Sequence, residues 1–153
     1  MPLYYEDFSI DQTFTTLGRT ITEADLIQFA GMTGDNSALH TDEEFSKRSI
    51  YGQRLVHGML AISIALGLIS RTLVFEGTGI AFLGMDRVLF HKPIFVGDTV
   101  TAKFTIEAMR ETKKADRGVV VRHIELFNQH KESVLDFSIT GLVLRRDSNR
   151  GGD

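Results

Sequence analysis

Apolar residues recur along this chain with two periods, and the change falls near Gly77. Ahead of it the spacing is mostly helical. Gln12–Ile21, rich in Thr and Phe, suits a first strand. Thr22 is placed to cap a helix, with Glu23 and Asp25 in the first turn, where carboxylates meet the positive end of the dipole. Leu26, Ile27, Phe29 and Ala30 give that helix one apolar side, and Gly31 or Gly34 ends it. A loop over Thr33–Thr41 follows, then a short helix from Asp42 to about Lys47, broken over Ser49–Gly52. The strongest pattern is a helix from near His57 to about Arg71. Leu60, Ile64 and Leu68 lie on one side and Met59, Ile62, Leu66 and Ile69 on others, with Ser63 and Gly67 as the only breaks. A helix apolar on nearly every side belongs inside a protein. Its apolar stretch, Met59 to Ile69, is too short to span a bilayer.

Beyond Gly77 the period becomes two, giving strand candidates at Ile80–Leu89, Thr99–Glu111, Val119–Asn128 and Val134–Leu144. Turn chemistry separates them: Pro93 with Gly97-Asp98, Asp116-Arg117-Gly118, and Gln129 to Glu132. One strand, helices, then four antiparallel strands predict an α+β fold with one long central helix wrapped by a curved antiparallel sheet. An open sheet of this kind has free edges, which favours pairing with a second copy as a homodimer.

A length of 153 residues fits one domain, read here as 1–145, followed by a polar tail over 146–153 that should fray. The formal charge of −3 and the absence of a basic stripe argue against a nucleic-acid partner. Without cysteine there is no disulfide framework and no thiolate metal site. The first residues lack the basic and apolar regions of a secretory signal, so the expectation is a cytoplasmic protein without a membrane partner.

Candidate chemistry lies between the two periodic regions. Asp35-Asn36-Ser37-Ala38-Leu39-His40 puts a carboxylate and an imidazole in one loop, and Val56-His57-Gly58-Met59-Leu60 opens the apolar helix. Adding water to an enone thioester needs a base, an acid and a donor for the thioester oxygen. Asp35 and His40 offer the titrating pair. The backbone N–H of Gly58, unpaired in a first helical turn and without a side chain to block approach, offers the oxyanion donor. Taken singly, each has a plainer reading: Asp35 as a turn residue, His40 as a structural hydrogen-bonder, His57 as a capping or packing residue, Gly58 as an aid to close packing. Order and spacing make the combination stronger than its parts. Ser37, Val56, His57, Met59 and Ser63 are the candidate substrate-contacting positions.

On these residues the chain resembles the MaoC-like, R-specific enoyl-CoA hydratase family of hot-dog proteins. The resemblance runs over almost the whole chain. It covers Thr22-Glu23-Ala24-Asp25, Phe29-Ala30-Gly31 with Asp35 and His40, Val56 to Leu60, and Phe95-Val96-Gly97-Asp98-Thr99-Val100. It implies a hot-dog fold, a dimer with acyl-CoA threading between protomers, and a lyase that reversibly hydrates trans-2-enoyl thioesters to (R)-3-hydroxyacyl thioesters. Asp35 and His40 would hold the water, with the Gly58 N–H facing the thioester carbonyl; which of the two delivers the α-proton stays open. The substrate would be an acyl-CoA or acyl-carrier-protein thioester, and neither cofactor nor metal is expected. Two departures stand out. Ser37 and Ala38 occupy positions where the family has Asn and Pro, and Leu66 replaces a polar residue sometimes found on the central helix. CoA phosphates would have to rely on scattered cations, with Arg87, Lys92, Arg110, Lys113 and Lys114 as candidates. A hot-dog thioesterase and a non-catalytic acyl-CoA-binding module are the alternatives. Free-thiol release would favour the first, and binding without turnover the second.

Overall fold

The computed structural model describes residues 1–146. In chain order the elements are β1 (Thr13–Thr15), β2 (Arg19–Thr20), α1 (Glu23–Thr33), α2 (Ala38–Thr41), α3 (Glu43–Lys47), α4 (Gly58–Ser70), β3 (Gly79–Phe90), β4 (Thr99–Glu111), β5 (Arg117–Phe127) and β6 (Ser133–Leu144). One antiparallel sheet runs β1-β4-β5-β6-β3, with β2 also on β4. The alternating segments thus form strands at nearly the expected bounds. The apolar segment forms α4, capped by His57 and ending at Arg71.

The core lies between α4 and the inner face of β4, β5 and β6. Val100, Ala102, Phe104 and Ile106 alternate along β4 at 0% exposure, and Ile124, Leu126, Leu135, Phe137 and Ile139 are equally enclosed. They share one cluster with Leu60, Ala61, Ile64, Ala65 and Leu68 of α4. Each large side chain buried in this way contributes about 1.5–3 kcal/mol of transfer free energy. The result is the expected α+β arrangement, a long helix held in a curved antiparallel sheet.

Four local features correct or extend the sequence reading. The expected first strand is split into β1 and β2, because Thr16 substitutes a side chain for a backbone rung: its Oγ1 accepts the Ala102 N–H at 3.0 Å. The expected loop over Thr33–Thr41 contains a single helical turn, α2, closed by Thr41 N–H to Ser37 O and Asp42 N–H to Ala38 O. Ala38 opens that turn at its first helical position, where alanine is a good helix former. The helix α4 is not enclosed all round: Met59 is 59% exposed, and Ser63 and Gly67, each four residues further on, share its open side. Finally, β3 pairs with β6 at the far edge of the sheet and not with its sequence neighbour β4.

At the chain's end, Arg145 bonds Glu6 through Nε at 2.8 Å, and Arg146 pairs with Asp7. Residues 147–153 of the expected tail lie outside the described residues. No helix of the described residues is long and apolar enough to cross a membrane.

Candidate active site

Helix α1 delivers the chain to the site in a fixed direction. Thr22 and Asp25 form a reciprocal cap, Thr22 N–H donating to Asp25 Oδ2 at 2.8 Å and Asp25 N–H to Thr22 Oγ1 at 3.3 Å. Burial pushes the Asp25 carboxyl up, but hydrogen bonds from Thr22 and the Arg19 guanidinium outweigh it and hold the group below its ordinary value. Gly34 ends the helix at φ 77°, the left-handed conformation that suits glycine. Asp35 follows at once.

The next turns are fastened by side chains. Thr41 Oγ1 donates to the carbonyls of Asn36 and Ser37, both at 3.1 Å, and the fully buried Ser46 donates to those of Ala38 and Leu39. Arg54 grips Glu23 with two bonds of 2.8 and 2.7 Å and Glu43 with a third of 2.8 Å, tying the starts of α1 and α3 to the segment that leads into α4. Asn36 donates its amide to Gly34 O at 3.3 Å, so the one amide of this loop braces the turn before Asp35.

These constraints bring Asp35, His40 and His57 together, with one ligand atom from each lying within 4.8 Å of the others. His40 Nδ1 sits 2.8 Å from the Leu55 carbonyl, which only an Nδ1–H can satisfy, so the neutral ring keeps a lone pair on Nε2. His57 is 2% exposed and donates Nε2–H to the backbone carbonyl of Asp35 at 2.9 Å. Its ring stacks on His40 at 3.9 Å between centroids, with Phe29 at 5.0 Å on His57. The rings therefore differ in kind. His40 is half-buried with a nitrogen to spare, whereas His57 is a buried strut that fixes the backbone of Asp35. The Asp35 side chain is exposed and, among the described residues, accepts a single long bond, 3.4 Å, from Ser37 N–H.

Gly58 is the first helical residue of α4, so its N–H has no acceptor within the helix. A Cβ built there would stand 2.8 Å from Phe90 Cζ, closer than real contacts allow, so the position accepts no side chain while Phe90 stays put. The Phe90 ring and Gly58 help line a cavity of about 360 Å³ together with His40, Tyr51, Leu55, Val56, Ala61, His91, Lys92, Pro93 and Ile94. The walls are mainly apolar; two imidazoles line them, His40 and the Asp136-paired His91, together with the N-terminus of α4.

The other sequence candidates fall in several places. Val56 is buried and lines this cavity, its N–H bonded to Ile94 O at 2.9 Å. Ser37 is exposed beside Asp35. Met59 faces outwards on the open side of α4. Ser63 lines a different groove of about 420 Å³ between α1 and α4, bordered by Arg19, Gln28, Phe29, Met32 and Arg71. It is therefore not brought beside His40. Of the candidate cations only Lys92 reaches the cavity, and it is paired with Glu132. Sequence reasoning missed Leu55, whose carbonyl sets the His40 tautomer, and Phe90, which closes over Gly58 from the end of a distant strand. A backbone carbonyl leaves no trace in residue identity, and Phe90 reads only as the last apolar residue of β3.

Comparison with known proteins matches the chain and its fold to one family. The model of the MaoC like domain matches residues 7–126. The (R)-specific enoyl-CoA hydratase of Rhodospirillum rubrum is 31% identical over 111 residues, covering 72% of this chain and 74% of that protein. Protein MaoC of Klebsiella aerogenes is 36% identical over 119 residues; the match takes in 75% of this chain but only 33% of that longer protein. Among solved structures, one described as a monoamine oxidase regulatory protein from Archaeoglobus superimposes with a TM-score of 0.88 at 36% identity, covering 94% of this chain and 95% of the other. A double hot-dog protein from Mycobacterium tuberculosis, at 22% identity and a TM-score of 0.85, shares the fold over 95% of this chain and 45% of its own. The chain belongs to the MaoC-like domain family and has its hot-dog fold.

Proposed function

We propose that this protein is a hydro-lyase that adds water reversibly to trans-2-enoyl thioesters, giving (R)-3-hydroxyacyl thioesters. Relatives named as enoyl-CoA hydratases and 3-hydroxyacyl dehydratases support the reaction class. The observation that carries the reading is the juxtaposition of Asp35 with a His40 whose Nε2 is left basic, beside a cavity that Gly58 opens into. In the hydration direction, His40 Nε2 accepts one proton of a water molecule while Asp35 accepts a hydrogen bond from the other O–H. The water oxygen bonds to the β-carbon, and the electron pair of the double bond moves towards the thioester oxygen, where the Gly58 N–H stabilises the charge. The imidazolium then returns its proton to the α-carbon, so the sum is one water added. A donor of this kind is worth about 3–4 kcal/mol in the transition state.

The substrate is proposed to be a CoA or acyl-carrier-protein thioester, with no further cofactor. The working unit is proposed to be a homodimer paired through β3, whose edge exposes Ile80, Phe82, Leu83, Leu89 and Phe90. Loss of the enone absorbance of crotonyl-CoA without release of free thiol, and with the 3R product, is the expected assay result. Thiol release with the enone intact would instead make the protein a thioesterase.

A further inference from the structure

Arg122 is the one arginine of β5 that points into the fold. It shares the inner-facing parity of Val120, Ile124 and Leu126, which are buried in the core. Its guanidinium carbon lies 4.2 Å over the Phe75 ring, and its Nε is sealed from solvent without a hydrogen-bond partner. Among the described residues no carboxylate forms an ion pair with it, in contrast to Arg19, Arg54, Arg87, Arg117, Arg145 and Arg146. Burial alone lowers its pKa to about 10. The side chain is half-buried and lines open cavities, so of its nitrogens it is Nε that has lost water without gaining a partner.

This arginine borders two adjoining cavities. One, of about 360 Å³, has Phe75, Ile80, Phe82, Leu142 and Val143 as its apolar walls. The other, of about 220 Å³, adds Leu66, Ile69 and Ser70 of α4, with the exposed Glu76 at its rim. A recess that combines apolar side chains with a single fork of donors fits one carboxylate at the end of a hydrocarbon chain, since a guanidinium binds a carboxylate through two parallel bonds. It does not fit a CoA diphosphate, which is bulkier, carries more charge and stays hydrated.

Sheet geometry connects the recess to the reaction site. Arg122 pairs with Ile139, and Ile139 with Met85, so the arginine stands level with the middle of β3. The cavities extend from there towards the Gly79–Phe82 end, whereas Phe90 and Gly58 lie at the opposite end. Two β3 edges related by a two-fold axis normal to the sheet run antiparallel. Centred pairing then sets the Gly79–Phe82 end of one copy beside the Phe90 end of the other. In a dimer paired in that way, an acyl chain starting at Gly58 of one subunit would be directed towards the recess of the second.

We propose that Arg122 of the partner subunit binds a carboxylate at the far end of the acyl chain, so that the preferred substrates are enoyl thioesters of dicarboxylic acids. The inference rests on the hydratase reading for its substrate class, and the test separates the two. The intact protein and its Arg122→Met and Arg122→Lys variants are assayed with trans-2-enoyl-CoAs of matched length ending in a carboxylate or a methyl group. Binding of the saturated glutaryl- and adipyl-CoA against valeryl- and hexanoyl-CoA is measured by calorimetry, which needs no turnover. The unaltered protein should favour the carboxylated series. Arg122→Met should lower kcat/KM for that series by about a hundredfold, chiefly through KM, and change the methyl series less than about threefold. Arg122→Lys, which keeps the charge without the fork, should fall between and covers the case in which the Met variant does not fold. Preferential binding of the dicarboxylic esters, lost in the Met variant, supports the inference even if nothing is hydrated, in which case only the hydratase reading fails. Equal treatment of the two series by the unaltered protein, or an equal loss for both in the variants, overturns it.

Discussion

Strand β3 is richer in apolar residues than β4, yet it is the apolar side chains of β4 that are enclosed and those of β3 that stay exposed. Along β4, Val100, Ala102, Phe104 and Ile106 are wholly enclosed, because β5 and β1 flank the strand and α4 covers its inner face. Along β3, Ile80, Phe82, Leu83, Leu89 and Phe90 keep 40–55% of their surface, because the strand has one neighbour and a free edge. Three shifts of register against β6 bend it further. Apolar character therefore has two uses here. In β4 it holds the fold together, and in β3 it stays exposed along the edge through which the proposed dimer pairs and at the site that Phe90 helps to close.

The sharpest way to break this comparison is truncation on each strand. Phe104→Ala should cost about 3–5 kcal/mol of unfolding free energy, whereas Phe82→Ala should cost about 1 kcal/mol or less in the isolated chain. Chemical denaturation of both variants at low protein concentration checks this, and equal losses would contradict it. A charge on the edge asks the complementary question. Leu83→Lys should leave the fold intact but shift the protein from dimer to monomer in sedimentation equilibrium, while activity per chain falls with the dimer. A monomeric and fully active variant would separate the site from the edge.

Gly58 joins the two regions. Gly58→Ala should cut turnover by about a hundredfold, since the new methyl meets the Phe90 ring. Adding Phe90→Ala should restore part of the loss if crowding is the cause. No recovery would instead point to the helix N-terminus itself. The smallest expected effect is at the entrance to the site. Thr22→Ala should cost about 1 kcal/mol through the lost cap. Because the folded Asp25 carboxyl sits below its ordinary value, its contribution is present above the unfolded pKa and lost as pH falls through the folded one. Acid unfolding of the Thr22→Ala variant should therefore be less steep than that of the parent. An unchanged profile would assign the acid sensitivity elsewhere.

These contrasts also mark how far the sequence could be read. The period-two segments and the apolar run from Met59 placed β3 to β6 and α4 within a few residues, because burial on one face leaves a periodic record. Periodicity does not say which strand has a neighbour, so the displacement of β3 to the edge beside β6 was illegible, as was the Thr16 side chain that divides the first strand. At the site, Asp35, His40 and Gly58 were visible by type and order. Their proximity depends on contacts no motif encodes: the Leu55 carbonyl on His40, the His57 strut on Asp35 and the Arg54 clamp. Ser63 shows the converse, sharing a helix with Gly58 yet opening into another groove.

Asp35 and His40 are proposed to act as one unit on a single water. This is tested most directly by hydration kinetics of Asp35→Asn, His40→Ala and the double variant, with folding checked by circular dichroism. Each single substitution should lower kcat by at least about a hundredfold, and the double should fall little further, because removing either member disables the pair. Single variants that retain near-parental turnover, or losses that simply multiply in the double, would contradict it.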